Sequence, residues 1–388
     1  MANELYPRFS NAEFDRRYAA ARALMAAHGI DVLVIYGNSG ISRHNHADVH
    51  YLSGFLGNRN NYLLVPARGE PVLFVQSHNH VPNAREAASV EVVWGGRDSS
   101  MTIARHIRDI VELPGTLGYV GEVPVQSYFA WHRELPGWSY KDMSAPYRNL
   151  RLVKSEEEIE WLRRGAALTD AAVEHLVENI KPGMHEYELG ALVEAAGLAR
   201  GGLPHLCYMS SAPQEGAGVC VPRQNLSHRM IERGDVINFE ISISHWGYSG
   251  QVQRPVFVQT PPNTQYRALW DCALEAYERC VRVLKAGATS EDVLDAADVI
   301  AERGYTINDG FLHGFAIGLM PPSIGTRQSK RGVPKPPFRF EANMCVVVQP
   351  NVVTHDERAG VQLGNLFRIT GTGAECLHRL PVQYYVTR

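Results

Sequence analysis

The stretch GDVINFEISISHWGYSGQVQRPVF, residues 234–257, decides the fold of this chain, because it holds two strand patterns on either side of a Gly-containing turn. The first, apolar strand carries one acid, Glu240. The second carries Gln251 and Gln253 at alternate positions, where a metal-binding strand pair would carry further acids. The stretch therefore predicts a strand pair that faces a polar site but lacks most of the ligands of a metal centre.

The composition is that of an ordinary globular protein of 388 residues, which is long enough for two domains. The formal net charge of -3 gives no basic field for a phosphate backbone, so we expect no nucleic-acid partner. The sequence has no run of about 18 apolar residues and no signal-peptide core at its start, so we expect a cytoplasmic protein with no membrane partner. The six cysteines are scattered, which favours reduced thiols over disulfides or zinc.

The sequence pattern changes near residue 150. Residues 1–150 alternate helical and strand patterns, with buried strands at DVLVIYG and EPVLFVQ, and predict an α/β domain. A long amphipathic helix follows Ser155, a predicted N-cap, and has three glutamates in its first turn, where the helix dipole favours acids. We therefore predict a second domain over residues 151–388.

A weak repeat is present in the second domain. IKPGMHEYELGALVEAA, from residue 180, is echoed by LKAGATSEDVLDAADVI, from residue 284, about 104 residues later. Duplicated halves place strands from both repeats around one cleft, so ligand groups are expected from both halves. In the second half, DGFLHGFAIGL places His313 between glycines and among the strands that line the cleft.

Six segments occur in the order found in the pita-bread family of methionine and Xaa-Pro aminopeptidases, prolidase and creatinase. They are RLVKSEEEIEWLRRG, KPGMHEYEL, GDVINFEIS with GYSGQVQRPVF, GFLHGFAIGL, VVVQPNV and GVQLGNLFRIT. The chain resembles this family over nearly the whole second domain, and its first 150 residues resemble the partner domain of creatinase and prolidase. The resemblance implies an α/β N-terminal domain and an α+β C-terminal pita-bread domain with a pseudo-twofold internal repeat. Within the family it points to the metal-free, creatinase-like branch.

In the family's metallopeptidases, two divalent cations bind five side chains. The resemblance places these positions at Glu240, Gln251, His313, Gln349 and Gly364. Each cation in such a site needs several carboxylate oxygens or imidazole nitrogens, and one carboxylate and one imidazole remain here. We therefore expect no metal and no other cofactor.

Creatinase, which hydrolyses the guanidinium C–N bond of creatine, uses a catalytic His and holds its substrate with glutamates. The position of that His falls here on Arg223 or, because the preceding loop is long, on His228, and both remain candidates for the cleft. Two of the glutamates correspond to Gln253 and Gln349. A buried cation without charged partners is costly, so creatine itself is not the expected substrate.

The remaining polar residues predict a cleft for a neutral or anionic small molecule, because arginine binds carboxylates through two hydrogen bonds and amides both donate and accept. The residues expected to bind substrate are Arg59, Arg223, His228, Gln251, Gln253, Arg254, Gln349 and Asn365. Arg254 also coincides with an arginine that is common in the family, which offers a structural role as the alternative.

Arg59 follows the turn YLSG in the N-terminal domain. In creatinase the equivalent loop reaches into the neighbouring subunit's cleft, where its Arg binds the substrate carboxylate. The resemblance therefore implies a homodimer with composite active sites.

Glu240 and His313 form the expected catalytic pair, in which one group deprotonates water and the other protonates the leaving nitrogen. We therefore predict a metal-independent, creatinase-like hydrolase that cleaves a C–N bond of a small polar, carboxylate-bearing molecule and is not a peptidase. Two alternatives stay open on the same scaffold. One is a lyase that eliminates across a C–C, C–S or C–O bond, and the other is a non-catalytic binding module.

Overall fold

The computed structural model describes residues 5–38, 46–111, 114–216, 218–329 and 337–388. The chain divides into two compact units, Met1–Arg151 and Leu152–Arg388. Within the described ranges, no helix is both long enough and apolar enough to cross a membrane.

The N-terminal unit is a six-stranded sheet with helices, in agreement with its alternating sequence pattern. Its elements are α1 (Asn11–His28), β1 (Val32–Gly37), α2 (Ala47–Ser53), β2 (Asn61–Pro66), β3 (Val72–Val75), a short 3-10 helix (His78–His80), α3 (Val81–Ala87), β4 (Glu91–Trp94), α4 (Ser99–Ile110), β5 (Thr116–Val120), α5 (Val125–Glu134), β6 (Ser139–Asp142) and α6 (Ser144–Asn149). The sheet order is β4-β3-β2-β1-β5-β6, in which β1 pairs antiparallel with β2 and parallel with β5. Every residue of β1 and β2 is buried, because both strands lie in the middle of the sheet.

The C-terminal unit has two halves, and in each half helices precede an antiparallel sheet. The first half contains α7 (Glu156–Asn179), α8 (Glu186–Leu198), β7 (Leu203–Pro213), β8 (Asp235–His245), β9 (Tyr248–Ser249) and β10 (Val252–Phe257). The second contains α9 (Thr264–Val283), α10 (Ser290–Ala297), α11 (Val299–Glu302), β11 (Thr306–Ile307), β12 (Leu312–Ala316), β13 (Gly318–Ile324), β14 (Cys345–Val348), β15 (Asn351–Val353), β16 (Gly360–Gln362), β17 (Asn365–Ile369), β18 (Ala374–Cys376) and β19 (Tyr385–Val386).

The strands of this unit form three sheets. One has the order β19-β10-β8-β7, with β9 paired to β8, and another has the order β13-β12-β14-β17-β18. The third, smaller sheet has the order β11-β15-β16. The predicted fold class, an α/β domain followed by an α+β domain with two related halves, is confirmed.

The helix starts follow from local sequence. The Ser155 side chain accepts a hydrogen bond from the Glu158 backbone, and the Glu158 carboxylate accepts one from the Ser155 backbone, so the predicted N-cap of α7 is a complete capping box. His185 caps α8 and Thr289 caps α10, each with an acid three residues later. These two caps stand at corresponding positions of the repeat, which explains why the repeat is visible in the sequence.

Strand β8 has two chemically different faces because successive side chains of a strand point in opposite directions. Phe239 and Ile241 are fully buried in the core that packs against α7 and α8. Burying each such side chain stabilises the fold by roughly 1.5–3 kcal/mol. The opposite face carries Glu240 and Ser242, and this face builds the site.

Candidate active site

Glu240 lies on the polar face of β8 with neighbours from both adjacent strands. It stands directly opposite Tyr208 on β7 and opposite Gln253 on β10. Residues opposite each other in an antiparallel pair project to the same face, with Cβ atoms about 4.5–5.5 Å apart. Burial raises the pKa of the Tyr208 hydroxyl, and the negative charge of Glu240 raises it further. The face therefore combines one carboxylate with neutral polar groups.

Gln251 is a hydrogen-bond partner of Glu240. Its side-chain Nε2 donates to Glu240 Oε1. Since a carboxylate oxygen accepts, this contact fixes which end of the amide faces Glu240 and turns Gln251 Oε1 the other way. That oxygen is buried and has no hydrogen-bond partner.

His313 joins the same set through two amides. Gln349 Nε2 donates to Gly310 O at 3.2 Å, which directs Gln349 Oε1 towards the other members. That oxygen accepts from Gln253 Nε2 at 2.8 Å and lies 3.2 Å from His313 Nε2. The other ring nitrogen of His313, Nδ1, lies 3.0 Å from Gly314 O. The structure thus brings the expected catalytic pair, Glu240 and His313, into one polar set with the three glutamines.

These residues do not fit a pair of divalent cations. A Cβ atom added at Gly364 would lie 1.9 Å from Gln253 Oε1 and 3.1 Å from Gln349 Cβ, so the Gln253 side chain occupies the space in which a ligand from position 364 would begin. In the part of the chain that the structure describes, no group of three or more His, Cys, Asp or Glu side chains could hold a metal ion. Two dications require several anionic oxygens or imidazole nitrogens, and Glu240 and His313 alone cannot supply them.

Arg254, expected to bind substrate, is fully buried and makes hydrogen bonds through all five of its N–H groups. The guanidinium donates to Gln253 O and Gly364 O at 2.8 Å each, to Asn365 Oδ1 at 2.8 Å, and twice to Pro381 O at 3.2 and 3.3 Å. Burial lowers the pKa of the guanidinium below its ordinary value. These contacts favour the structural alternative, in which Arg254 and Asn365 join the two halves of the unit beneath the site.

The two candidates from the long loop lie at the start of α8. Arg223 pairs through its backbone with Met209, and its Nη1 lies 3.8 Å from Glu186 Oε1. His228 accepts a hydrogen bond from His185 Nδ1 through its backbone carbonyl. Both side chains are exposed. The geometry gives neither of them a contact with the Glu240 set. Arg59 belongs to the other unit, where it is an exposed residue whose backbone carbonyl accepts a hydrogen bond from Asn61 Nδ2 at 2.7 Å.

The site combines one carboxylate with buried oxygens that have no hydrogen-bond partner, whereas the sequence predicted a preference for a neutral or anionic molecule. Each of the Gln251, Gln253 and Gln349 side-chain amides donates one hydrogen bond inside the protein, whereas Gln251 Oε1, Gln253 Oε1 and Ser242 Oγ are buried without partners. Unpaired buried oxygens are costly and are satisfied by a ligand that brings N–H groups. Together with the Glu240 carboxylate, they suit a protonated amine better than a carboxylate.

Sequence reasoning missed His378 and Asp170. His378 Nε2 accepts a hydrogen bond from the Gln251 backbone N–H at 3.2 Å, and His378 Nδ1 lies 2.6 Å from Asp170 Oδ1. No local pattern connects them, because one stands in α7 and the other 208 residues later, after β18. A histidine followed by arginine in a loop gives no signal of this contact.

Comparisons with known proteins support both units. A model of metallopeptidase family M24 matches residues 160–371, and a model of the creatinase/prolidase N-terminal domain matches residues 17–153. An uncharacterised hydrolase/peptidase of Sinorhizobium fredii is 28% identical over 97% of this chain and 97% of its own length. The Xaa-Pro dipeptidase of Pyrococcus furiosus is 24% identical over 85% of this chain and 90% of its own length. The crystal structure of the X-Pro aminopeptidase from Thermotoga maritima has a TM-score of 0.81 at 22% identity, covering 95% of this chain and 99% of that chain.

These findings correct the function expected from the sequence. The coarser expectation of a hydrolase agrees with the matching family. The expectation that this hydrolase is metal-independent and not a peptidase is wrong, because the matching family is one of metallopeptidases and its named relatives include an Xaa-Pro dipeptidase. The metal-free, creatinase-like branch is not confirmed, and the lyase and binding-module alternatives gain no support. The expectation inferred a substrate class from the acids missing at a few positions, whereas the chain as a whole follows the peptidases.

Proposed function

We propose that this chain, which belongs to metallopeptidase family M24 and has a creatinase/prolidase N-terminal domain, is a hydrolase. Its proposed substrate is a short peptide with a free amino group, in which it cleaves a peptide bond. The observation that carries the proposal is the polar set in which Glu240 and His313 are linked through Gln251, Gln253 and Gln349. The names of the relatives, which are dipeptidases and aminopeptidases, support the same class of reaction.

Glu240 and His313 take complementary parts in the proposed reaction. The Glu240 carboxylate accepts a proton from water, and the resulting hydroxide attacks the carbonyl carbon of the peptide bond. His313 has an oxygen beside each ring nitrogen, at 3.0 and 3.2 Å, an arrangement that suits N–H donation. It donates a proton to the amide nitrogen as the C–N bond breaks, which leaves a carboxylic acid and a free amine. The residues present do not fit the family's metal pair, so no step is assigned to a metal.

The unpartnered oxygens indicate how the substrate is oriented. A protonated amino group carries three N–H donors and a positive charge, and it would meet Glu240, Gln251 Oε1 and Ser242 Oγ on one face of β8. The free N-terminus of a short peptide supplies such a group. An N-acetylated peptide lacks the charge and two of the three donors, and would leave the buried oxygens unpaired.

Arg59 and the homodimer remain part of the proposal. The exposure of Arg59 is compatible with a contact to the substrate carboxylate in the partner's site, as the resemblance to creatinase implies. Light scattering of the purified protein tests the dimer. Mixing inactive Glu240→Gln subunits with Arg59→Ala subunits tests the shared site, because each mixed dimer would then contain one intact site and regain activity.

The proposed reaction is tested with alanyl-proline and its N-acetyl form, each assayed with and without added Mn²⁺ because the relatives belong to a family of metallopeptidases. We expect turnover of the free dipeptide, at least a tenfold lower kcat/KM for the acetylated one, and a loss of about 100-fold or more in kcat for Glu240→Gln and for His313→Ala. Glu178→Gln and His355→Ala, both at exposed positions, are the matched controls. Wild-type turnover in both site variants would refute the catalytic pair, and failure to cleave any dipeptide of a small panel in either condition would refute the function.

A further inference from the structure

A buried carboxylate–imidazole pair stands behind the candidate site. Asp170 Oδ1 in α7 lies 2.6 Å from His378 Nδ1, and its other oxygen accepts the backbone N–H of Arg379 at 2.7 Å. The His378 side chain is fully buried and that of Asp170 is 9% exposed. The pair is therefore shielded from solvent and cannot itself contact a substrate by way of the surface.

The neighbours of His378 specify one tautomer. The Asp170 carboxylate accepts, so Nδ1 carries the hydrogen, and the Gln251 backbone N–H donates at 3.2 Å, so Nε2 presents its lone pair. Each of the two contacts requires the same arrangement of the ring. Asp170 thus orients the imidazole in the way that lets it hold the Gln251 backbone.

Packing places the ring directly against the short segment between β9 and β10. A Cβ atom added at Gly250 would lie 2.6 Å from His378 Cε1 and 2.6 Å from the Ala166 Cα of α7. Only a glycine allows this segment to approach the ring so closely. The next residue, Gln251, is the one whose side chain donates to Glu240 Oε1. Four residues, from α7, the segment after β18, the segment between β9 and β10, and β8, therefore form one continuous series of hydrogen bonds.

We infer that His378 and Asp170 are positioning residues, which hold Gln251 so that its side-chain amide fixes the Glu240 carboxylate for reaction. The kinetic consequence of this inference rests on the proposed function, in which Glu240 acts as the base. The placement of Gln251 does not, because it can be observed without a substrate. Neither His378 nor Asp170 touches the reacting atoms.

Two amide variants separate the contacts of His378. In His378→Gln the longer amide can present an oxygen near the position of Nε2 and accept a hydrogen bond from the Gln251 backbone N–H. In His378→Asn the shorter amide can still donate to Asp170, but it does not reach Gln251. Ser155→Ala is the control for a general loss of stability, because it removes the cap of the same helix α7 that carries Asp170. Asp170→Asn tests the orientation of the ring.

We expect kcat for alanyl-proline to fall about 10–100-fold in His378→Asn and Asp170→Asn with KM within about threefold, since misplacing a reacting group by about 1 Å costs on this order. His378→Gln should recover much of the loss, and Ser155→Ala should keep wild-type kcat. A structural role alone would lower the melting temperature of all four variants without this split between kcat and KM. Equal kcat in all of them would overturn the positioning role.

Crystal structures and amide hydrogen exchange provide the readout that needs no activity. In His378→Asn the Gln251 backbone amide should exchange faster and the side chain should turn away from Glu240, while His378→Gln should resemble the wild type. An unchanged Gln251 in His378→Asn overturns the inference, whether or not any dipeptide is cleaved. If Gln251 moves as expected but no dipeptide is cleaved by the wild type, the proposed function fails and the positioning of Gln251 stands.

Discussion

Replacing Gly364 by alanine tests the claim that Gln253 fills the space of a missing side chain. The backbone at Gly364 is not in the left-handed region, so alanine is acceptable to the main chain itself. The added Cβ would lie 1.9 Å from Gln253 Oε1 and 2.8 Å from Gln253 Cδ, whereas an ordinary contact needs about 3.5 Å. The amide of Gln253 must therefore move by about 1.5 Å.

The magnitude follows from what Gln253 loses when it moves. The hydrogen bond to Gln349 Oε1, 2.8 Å long, is worth about 0.5–1.5 kcal/mol, and an off-rotamer side chain in a fully buried position costs about 0.5–1.5 kcal/mol. Gly364→Ala should therefore lower the free energy of unfolding by about 1–3 kcal/mol. In a unit of this size that corresponds to a fall of roughly 2–4 °C in melting temperature per kcal/mol.

The assay is calorimetric unfolding of four proteins: the wild type, Gly364→Ala, Gln253→Ala and the double variant. Because Gln253→Ala removes the obstructing atoms, the double variant should be no less stable than Gln253→Ala alone, which gives a favourable coupling of about 1–3 kcal/mol. Gly371→Ala is the control, since nothing lies within 4 Å of its Cβ position. Strictly additive effects, or a Gly364→Ala protein as stable as the wild type, would refute the reasoning.

Two further changes test the surroundings of the site. Arg254→Lys gives up most of the five hydrogen bonds of a buried guanidinium, so it should lower the free energy of unfolding, measured by urea denaturation, by more than about 3 kcal/mol. The control, Arg282→Lys on the exposed side of α9, should change this free energy by less than about 0.5 kcal/mol. A cost below about 1 kcal/mol for Arg254→Lys would contradict its structural role. Burial alone would raise the pKa of Glu186, but hydrogen bonds from Ser211 and Ser227 outweigh this and lower the pKa below its ordinary value. A lowered pKa in the folded state adds stability that is fully present above the unfolded pKa of about 4.3 and is lost as the pH falls through the folded pKa. The urea midpoint of the wild type should therefore decline below about pH 4.5, and Glu186→Gln should flatten this decline. Parallel declines in the two proteins would show that Glu186 does not carry this dependence.

Much of the fold could be predicted because its signals are local. The capping box at Ser155 needs only a spacing of three residues, and the two faces of β8 need only the alternation of apolar and polar side chains. The positions of Glu240 and His313 as members of one site followed from the order of the family's motifs. The substrate class did not follow, because missing acids at a few positions say less about a reaction than the whole chain does.

The sequence by itself determined the elements, the repeat of two halves and the residue types at the site, since each depends on spacing along one segment. Only the tertiary structure decided what those residues touch. It placed Gln253 where a side chain at Gly364 would begin, engaged all the donors of Arg254 inside the protein, and brought His378 to Asp170 across 208 residues of sequence. Such contacts depend on strand register and on the orientation of individual amides, and these are set only when the two halves pack together.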